Sequence, residues 1–202
     1  MGCKPSADFA QSVMNQIFDD MMEHIEIYFD NILITSQSWK AHISTVSEIL
    51  QHLETHGFTV NPSKCQWAVK EANWMGYTIT PNGYKPNAQK VAAILKISEP
   101  TTPKQLRSFL GFANYNKQFY ARRAHIFAPL TQLSGIKLKS KFLKQWQTPQ
   151  KQAFAKAKAL MAQDVLLTYP DPNLPFDLET DASDYQLGAI LKQNNQILAC
   201  FS

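Results

Sequence analysis

The sequence has few of the features that mark secreted or membrane proteins. Its three cysteines, Cys3, Cys65 and Cys200, lie far apart and include no C-x-x-C pair, which argues against a disulfide framework and a zinc site. No stretch approaches the roughly 18 consecutive apolar residues that a membrane helix needs. No apolar segment follows Met1 in the manner of a secretory signal. We therefore expect an intracellular protein, cytoplasmic or nuclear, that does not contact a membrane.

Acidic residues are scarce in the middle of the chain. Residues 61–170 contain 17 lysines and arginines against 3 acidic residues, a net charge of +14. Residues 1–60 carry −6 (2 against 8), and residues 171–202 carry −4 (1 against 5). A basic centre between acidic ends is typical of a polyanion-binding region flanked by metal-binding carboxylates. Lysines that only solvate an exposed face would give the same counts, so composition leaves both interpretations open.

The stretch from Glu26 to Ile34 carries the most informative local pattern. An apolar, β-rich run leads to the polar pair Asp30-Asn31, and a second apolar run follows. This pattern predicts a β-hairpin with that pair as its two-residue loop. A carboxylate at such a tip suits metal-assisted phosphoryl transfer, because Mg²⁺ prefers carboxylate and phosphate oxygens. Asp and Asn are also ordinary turn residues, and from the hairpin alone that plain interpretation is the better one.

Apolar spacing and capping residues predict two helices in the first 60 positions. One helix begins at Ser6, and a second is capped by Ser36 or Ser38 and ends before Gly57. Their inward faces are expected to consist of Phe9, Val13, Ile17 and Met21 in the first helix, and of Ile43, Val46, Ile49, Leu50 and Leu53 in the second. Strands are expected at residues 58–60 and at 73–80, the second interrupted by Gly76 and followed by a turn at Pro81-Asn82-Gly83.

Helices are expected to predominate from residue 87 until the final strands. Asn87 and Pro103 each mark the start of a helix, and Thr148 with Pro149 marks a later one as a cap followed by an N1 proline. Residues 134–146 are interpreted as a basic connector. The helix after Pro103 is expected to point Leu106, Phe109, Leu110 and Ala113 inward. The last strands are expected at residues 176–180, ending on Asp181, then 186–191 and 196–201.

Seven short motifs follow one another along the chain: Gly2 to Gln11, Tyr28-Phe29-Asp30-Asn31, Gly57 to Lys64, Trp74-Met75-Gly76-Tyr77, Leu106 to Gly111 with Asn114-Tyr115, Pro129-Leu130-Thr131 with Trp146 and Phe154, and Glu179 to Ala189. Together they resemble the reverse transcriptase–RNase H part of a Ty3/gypsy-type long-terminal-repeat retrotransposon polyprotein. The resemblance covers essentially the whole chain, and the motifs come in the family's order.

The resemblance implies an α+β fold in several parts. It implies a partial right-hand polymerase palm and a helical thumb, followed by the first strands of an RNase H-like domain. The corresponding limits are residues 1–85 for the partial palm, 86–135 for a thumb-like helical region, 136–170 for the connection, and 171–202 for the truncated N-terminal part of the RNase H-like domain.

The resemblance also implies site residues, cofactors and partners. Asp30 stands at a catalytic, metal-binding position of the polymerase, and Asp181 at one of RNase H, with Mg²⁺ or Mn²⁺ as the expected ions. Contacts with nucleic acid are implied for Gln11, Trp74, Met75, Gly76, Lys104, Arg107, Asn114, Tyr115 and Lys117. The implied partner is an RNA–DNA hybrid or primer–template, with dNTP as the substrate of the intact enzyme.

Two departures from the family pattern bear on activity. Asn31 replaces the second aspartate of the hairpin, which removes a negative charge from a hard-cation site. The chain is also interpreted as cut at both ends, without the other palm aspartate and without the later RNase H carboxylates. Asp181 is then a lone ligand, and Asp184 is interpreted as a turn residue.

We therefore expect an enzyme by descent that is inactive as this chain, with doubtful metal binding. The alternative is a non-catalytic nucleic-acid-binding remnant that uses the basic residues 61–170.

Overall fold

The computed structural model describes residues 6–183 and 186–202, and this described part of the chain divides into two compact units after Trp67. Helices and strands both contribute, so the α+β prediction is confirmed. The predictions for Gly2 to Pro5 and for Asp184 lie outside the described residues. Within the described part of the chain, no helix is long and apolar enough to cross a membrane.

The first unit consists of two helices and one antiparallel hairpin. Its elements are α1 (Ser6–Ile17), β1 (Ile25–Tyr28), β2 (Asn31–Ile34) and α2 (Trp39–Thr55). The side chain of Ser38 caps α2 by accepting the N–H of Ala41 at 3.2 Å, as predicted. Gly57 ends this helix in the left-handed region, with φ at +76°, which is the usual role of glycine at this position.

The core of this unit differs in part from the predicted faces. It contains Met14, Phe18, Met21, Ile25, Ile49 and Leu53. The prediction for Phe9 was wrong, since this side chain is 71% exposed. Ile43 and Leu50 are exposed as well, although both were expected to face inward. The apolar residues of α1 and α2 are spread over more than one face, and periodicity does not tell which face meets the hairpin.

The second unit contains two three-stranded antiparallel sheets and five α-helices among the described residues. The first sheet consists of β3 (Ala72–Trp74), β4 (Tyr77–Thr80) and β5 (Gly83–Pro86). The helices are α3 (Ala88–Leu95), α4 (Pro103–Tyr115), α5 (Arg123–Thr131), α6 (Lys139–Gln145) and α7 (Thr148–Met161). The second sheet consists of β6 (Asp177–Ser183), β7 (Gln186–Gln193) and β8 (Gln196–Phe201).

Capping explains why several of these helices begin where the sequence predicts. The side chain of Asn87 accepts the N–H groups of Gln89 and Lys90 at the start of α3. Thr102 and Gln105 form a complete capping box at the start of α4. The inward face predicted for α4 is confirmed, since it buries Leu106, Phe109, Leu110 and Ala113.

Three predicted segments differ in the structure. Residues 58–60 are not assigned to a strand. The strand expected at 73–80 with an interruption at Gly76 consists of two strands joined by a turn at Met75-Gly76, because both turn residues adopt positive φ. Part of the expected connector at 134–146 is helix α6, which buries Phe142 between its exposed lysines. This helix is short and rich in lysine, so its single buried aromatic gave little periodic signal.

The β6–β7–β8 sheet has one apolar face that the described chain leaves uncovered. Pairing places Leu178 opposite Leu191, and Ala189 opposite Phe201. Leu178, Leu187 and Phe201 are 62%, 78% and 55% exposed. On β8, Leu198 and Cys200 are buried instead, so the sheet packs on its own unit through that strand.

Candidate nucleic-acid interface and carboxylate sites

The hairpin of the first unit presents Asp30 at its tip. Tyr28 pairs with Asn31, so the two-residue loop is Phe29-Asp30. The prediction of an Asp30-Asn31 loop was therefore wrong by one residue. Phe29 adopts a φ of +52°, which is unfavourable for a bulky side chain and needs support from surrounding contacts.

Gln11 supplies that support from α1. Its Oε1 accepts the N–H of Phe29 at 2.7 Å, and its Nε2 donates to the carbonyl of Ile27 at 3.2 Å. Nε2 also contacts Asn15 Oδ1 at 2.8 Å within the helix. The amide group thus mimics a short piece of neighbouring strand and holds the loop that carries Asp30. In this structure Gln11 positions the hairpin, and its predicted contact with nucleic acid stays a prediction.

The surroundings of Asp30 do not fit a divalent cation on their own. Its Oδ1 accepts a hydrogen bond from Asn31 Nδ2 at 3.2 Å, so the amide approaches as a donor. A hard cation such as Mg²⁺ requires several oxygen ligands, commonly including carboxylates. Among residues 6–183 and 186–202, no group of three His, Cys, Asp or Glu side chains is arranged to hold a metal ion.

Asp181 lies on β6 in the second unit, and its nearest charged partner is a cation. Its Oδ2 is 3.6 Å from Nε of Arg122, and both side chains are largely exposed. An exposed ion pair of this length contributes little to stability. Because the carboxylate of Asp181 faces the guanidinium of Arg122, these two residues alone do not fit a metal site either. The structure therefore places Asp30 and Asp181 in different units, and among the described residues neither belongs to a group of three side chains that could hold a metal ion.

The turn between β3 and β4 consists of Met75 and Gly76. Their φ angles of +46° and +87° are those of a type I′ turn, whose twist suits a two-residue hairpin. The carbonyl of Met75 accepts a hydrogen bond from Tyr115 Oη. The carbonyl of Gly76 accepts the N–H of Asn87 at 3.1 Å. Both carbonyls of the turn are therefore bound by groups from α4 and from the start of α3.

Tyrosine side chains fasten this hairpin to the end of α4. The rings of Tyr77 and Tyr115 stack, and Tyr77 Oη donates to the carbonyl of Tyr115 at 3.2 Å. Gln118 Nε2 donates to Tyr77 Oη at 3.2 Å. Trp74 is half-buried at the end of β3. The structure thus brings together four of the predicted residues: Trp74, Met75, Gly76 and Tyr115.

The remaining predicted residues lie along α4 and just after it. Arg107 Nη1 donates to the carbonyls of Ser134 and Ile136 at 3.1 and 3.3 Å. Lys104 and Lys117 are exposed. Asn114 Oδ1 accepts a hydrogen bond from Arg123 Nη2 at 2.6 Å. Arg107, Asn114 and Arg123 line one cavity of about 420 Å³ beside α4.

Arg123 is a residue of this cavity that sequence reasoning did not select. Its Nη1 donates to the carbonyl of Ala113 at 3.0 Å near the end of α4, and its guanidinium lies 5.5 Å from the ring centroid of Phe127. Burial lowers the pKa of Arg123. Its Nε is buried and has no hydrogen-bond partner among the described residues. The spacing of Arg123 and Phe127 by four residues was the available signal, since such pairs meet on one helix face.

Two domain families match the chain. Residues 1–79 match the family described as reverse transcriptase (RNA-dependent DNA polymerase), and residues 146–202 match the RNase H-like domain found in reverse transcriptase. The chain therefore carries segments of a reverse transcriptase domain and of its RNase H-like domain, as the sequence motifs indicated.

The relatives of this chain are Ty3/gypsy-type transposon polyproteins. The chain is 36% identical over 193 residues to the retrovirus-related Pol polyprotein from transposon 297 of Drosophila melanogaster. It is 32% identical over 186 residues to the transposon Tf2-7 polyprotein of Schizosaccharomyces pombe. These alignments cover 95% and 92% of the chain but only 18% and 14% of the two polyproteins.

Solved structures of a foamy viral protease-reverse transcriptase share the fold. The complex with dsDNA superposes with a TM-score of 0.85 at 19% identity, over the whole chain and 42% of the viral protein. The complex with an RNA/DNA hybrid gives a TM-score of 0.80 at 18% identity, over 94% of this chain and 26% of the viral one. At this identity the similarity describes the fold alone.

Proposed function

We propose that this chain is a segment of a retrotransposon RNA-directed DNA polymerase with RNase H, which grips a primer–template or RNA–DNA hybrid without catalysing a reaction by itself. The observation that carries the proposal is the turn Met75-Gly76, which is held on both carbonyls beside the basic helix α4. Such a fixed, partly exposed turn suits a backbone contact with a nucleic-acid strand. The limits at residues 85, 135 and 170 belong to the same proposal.

Charge supports a polyanion as the partner of the second unit. Residues 61–170 carry a net charge of +14, and the cavity beside α4 is lined by Arg107 and Arg123 without a lining carboxylate. Lys104 and Lys117 extend the positive potential along the same helix region. Cations distributed in this way bind a phosphate backbone with little dependence on sequence.

We assign catalysis to the intact enzyme of the family and not to this chain. In an intact polymerase site Asp30 would hold Mg²⁺ or Mn²⁺, and Asp181 would do so in RNase H, where such ions activate oxygen nucleophiles. Asp30 is paired with the amide of Asn31, and Asp181 with a guanidinium. The dNTP substrate is likewise proposed only for the intact enzyme.

Binding is tested by fluorescence anisotropy with a labelled RNA–DNA hybrid, using the full chain over about 50 to 300 mM salt. We expect the logarithm of the binding constant to fall linearly with the logarithm of the salt concentration. Each of several phosphate contacts should contribute about 0.9, or somewhat less, to the magnitude of the slope. A chain that does not bind the hybrid at low salt would exclude the proposal. Equal binding at all salt concentrations would exclude phosphate contacts as its basis.

A chimera separates the enzyme by descent from the non-catalytic remnant. The remnant is the second candidate because no three His, Cys, Asp or Glu side chains among the described residues are arranged to hold a metal ion. In the chimera, this chain replaces its aligned segment of the transposon 297 polyprotein, and primer extension is compared with that of the unaltered polyprotein. If Asn31→Asp raises extension about a hundredfold or more, the lower end of what loss of one key electrostatic contact costs, the first candidate holds. Extension absent with and without the substitution, while hybrid binding persists, supports the remnant.

A further inference from the structure

We propose that the guanidinium of Arg122 takes the place of a divalent cation beside Asp181, so that this carboxylate carries an internal counter-ion with which a metal ion must compete. The inference deepens the proposed function, on which it rests, because it gives a reason within this chain for the inactivity of its RNase H-like part. The competing ligand is a hard divalent cation such as Mg²⁺ or Mn²⁺, since these ions bind carboxylate oxygens.

One face of β6 carries three acidic residues at alternate positions. They are Asp177, Glu179 and Asp181, and the geometry of a strand puts them on the same side of the sheet. Glu179 is neutralised within the sheet, because Lys192 Nζ of β7 lies 2.5 Å from its Oε1. The residue that pairs with Asp181 is Gly188, which offers no side chain. A cation for Asp181 therefore comes from outside the sheet.

Arg122 supplies this cation from the start of α5. Its Nε lies 3.6 Å from Asp181 Oδ2. Within the described part of the chain, its side chain has no other ion pair and no hydrogen bond. The neighbouring Arg123 is used differently, since it donates to the carbonyl of Ala113 at 3.0 Å and to Asn114 Oδ1 at 2.6 Å. Arg123 thus ties α5 to α4, and Arg122 faces the carboxylate.

The backbone around Arg122 is held in place by contacts of its neighbours. Its φ of +51° lies in the left-handed region, which is costly for a residue with a side chain and persists only where the surroundings support it. The N–H of Ala124 donates to Ser202 Oγ at 3.2 Å, which ties the start of α5 to the residue that follows β8. The sheet and the helix start are therefore joined without the guanidinium, and its removal leaves them together.

Electrostatics at this point oppose a second cation. The first turn of α5 adds the partial positive charge of a helix N-terminus to the charge of Arg122. A divalent ion bound to Asp181 would lie close to the guanidinium, and like charges at such distances repel each other even in water. Both side chains are largely exposed, so the repulsion is modest and the pair contributes little to stability. The contact therefore bears on what binds Asp181 more than on folding.

The test follows the broadening of amide NMR signals by Mn²⁺ in the full chain, with Asp181 and Gly188 as reporters. We expect Arg122→Gln to lower the Mn²⁺ concentration that half-broadens these signals by roughly two- to fivefold, the range of an exposed ion pair. Lys151→Gln removes the same charge from an exposed residue of α7 and should change that concentration much less. Asp181→Asn should abolish the broadening at this site.

A second variant, Arg122→Asn, guards against a folding defect, because asparagine adopts the left-handed conformation more readily than most residues. It should shift the Mn²⁺ dependence as Arg122→Gln does, with a thermal unfolding midpoint no lower than that of the unsubstituted chain. Equal Mn²⁺ dependence in the unsubstituted chain and both Arg122 variants overturns the inference. Broadening at Gly188 that persists in Asp181→Asn overturns it as well.

Hybrid binding by the same proteins distinguishes this inference from the proposed function. If the hybrid binds and the Mn²⁺ dependence is unchanged in the Arg122 variants, the proposed function stands and the role of Arg122 is excluded. A shift of the Mn²⁺ dependence in a chain that does not bind the hybrid supports the competition at Asp181 and excludes the proposed function.

Discussion

The rings of Tyr77 and Tyr115 lie parallel, with centroids 5.3 Å apart and 9° between their planes. They join a β-hairpin to the end of α4, 38 residues further along the chain. The hydroxyl of each ring donates to backbone on the other side: Tyr77 to Tyr115, and Tyr115 to Met75. A stacked pair with reciprocal hydrogen bonds couples the position of the turn to that of the helix.

Removal of the Tyr115 ring should loosen this connection more than removal of its hydroxyl. We expect Tyr115→Phe to lower the free energy of unfolding by about 0.5 to 1 kcal/mol, because one partly exposed hydrogen bond is lost. Tyr115→Ala should cost about 2 kcal/mol, since the stacked pair is lost as well. Chemical denaturation gives both values. Equal costs for the two variants would show that the stacking contributes nothing.

Gln11 should govern the order of the Asp30 loop. In Gln11→Ala the N–H of Phe29 loses its acceptor, so we expect a cost of about 1 kcal/mol and faster hydrogen exchange at that amide. Gln16→Ala is the matched control, because Gln16 is an exposed amide on the same helix. Exchange at Phe29 that is equally fast in all three proteins would show that Gln11 does not hold the loop.

Gly83 and Gly111 should respond to alanine with opposite signs. At Gly83 a Cβ would collide with the carbonyl oxygen of Leu167 and lie 2.9 Å from its carbonyl carbon, at a φ of +149°. We therefore expect Gly83→Ala to destabilise the chain by about 2 kcal/mol or more. At Gly111 nothing lies within 4 Å of the added atom, so alanine should stabilise α4 by about 0.5 to 1 kcal/mol. Thermal unfolding of both variants measures the difference.

Tyr120 should make stability depend on alkaline pH. Burial raises its pKa to about 12 from the ordinary value of 10.0. A raised pKa stabilises the fold below pH 10, and this contribution is lost as the pH rises from 10 through 12. By about pH 11 the free energy of unfolding should have fallen by about 1.4 kcal/mol, which is the equivalent of one pKa unit. The Tyr120 hydroxyl donates to the carbonyl of Met161 at 3.3 Å.

The variant Tyr120→Phe isolates this effect from that of the other tyrosines. Near pH 8 it should be less stable than the unsubstituted chain by about 1 kcal/mol, because the carbonyl of Met161 loses its donor. Towards about pH 11 the difference should vanish or reverse, since phenylalanine does not ionise. Urea denaturation at several pH values tests this, and parallel stability curves would contradict the assignment.

Structural features that depend only on residues close in sequence were predicted best. Ser38 and Asn87 cap helices as expected, since a cap needs only its own first turn. The loop at Phe29-Asp30 was missed by one residue because Gln11, 18 residues away, stabilises a positive φ that phenylalanine disfavours. Long-range hydrogen bonds of this kind leave no local pattern.

In the candidate site, too, local motifs were predicted and contacts between distant residues were not. Trp74, Met75, Gly76 and Tyr115 came from motifs, and the structure brings them together. Arg123 was not singled out, because its importance depends on a cavity that forms only after folding. The pairing of Asp181 with Arg122 was hidden for the same reason. Charge along the chain indicates a binding region, and only the fold tells which charges lack a partner.

The uncovered apolar face of the β6–β7–β8 sheet has a practical consequence in solution. Leu178, Leu187 and Phe201 form a water-facing patch on ordered strands, and dyes such as anilinonaphthalene sulfonate bind surfaces of this kind. Such a dye should fluoresce with the native chain while the near-ultraviolet circular dichroism of its packed tyrosines and tryptophans remains intact. Dye binding by this protein would therefore be a property of its folded form, and purification by hydrophobic-interaction chromatography should retain it strongly.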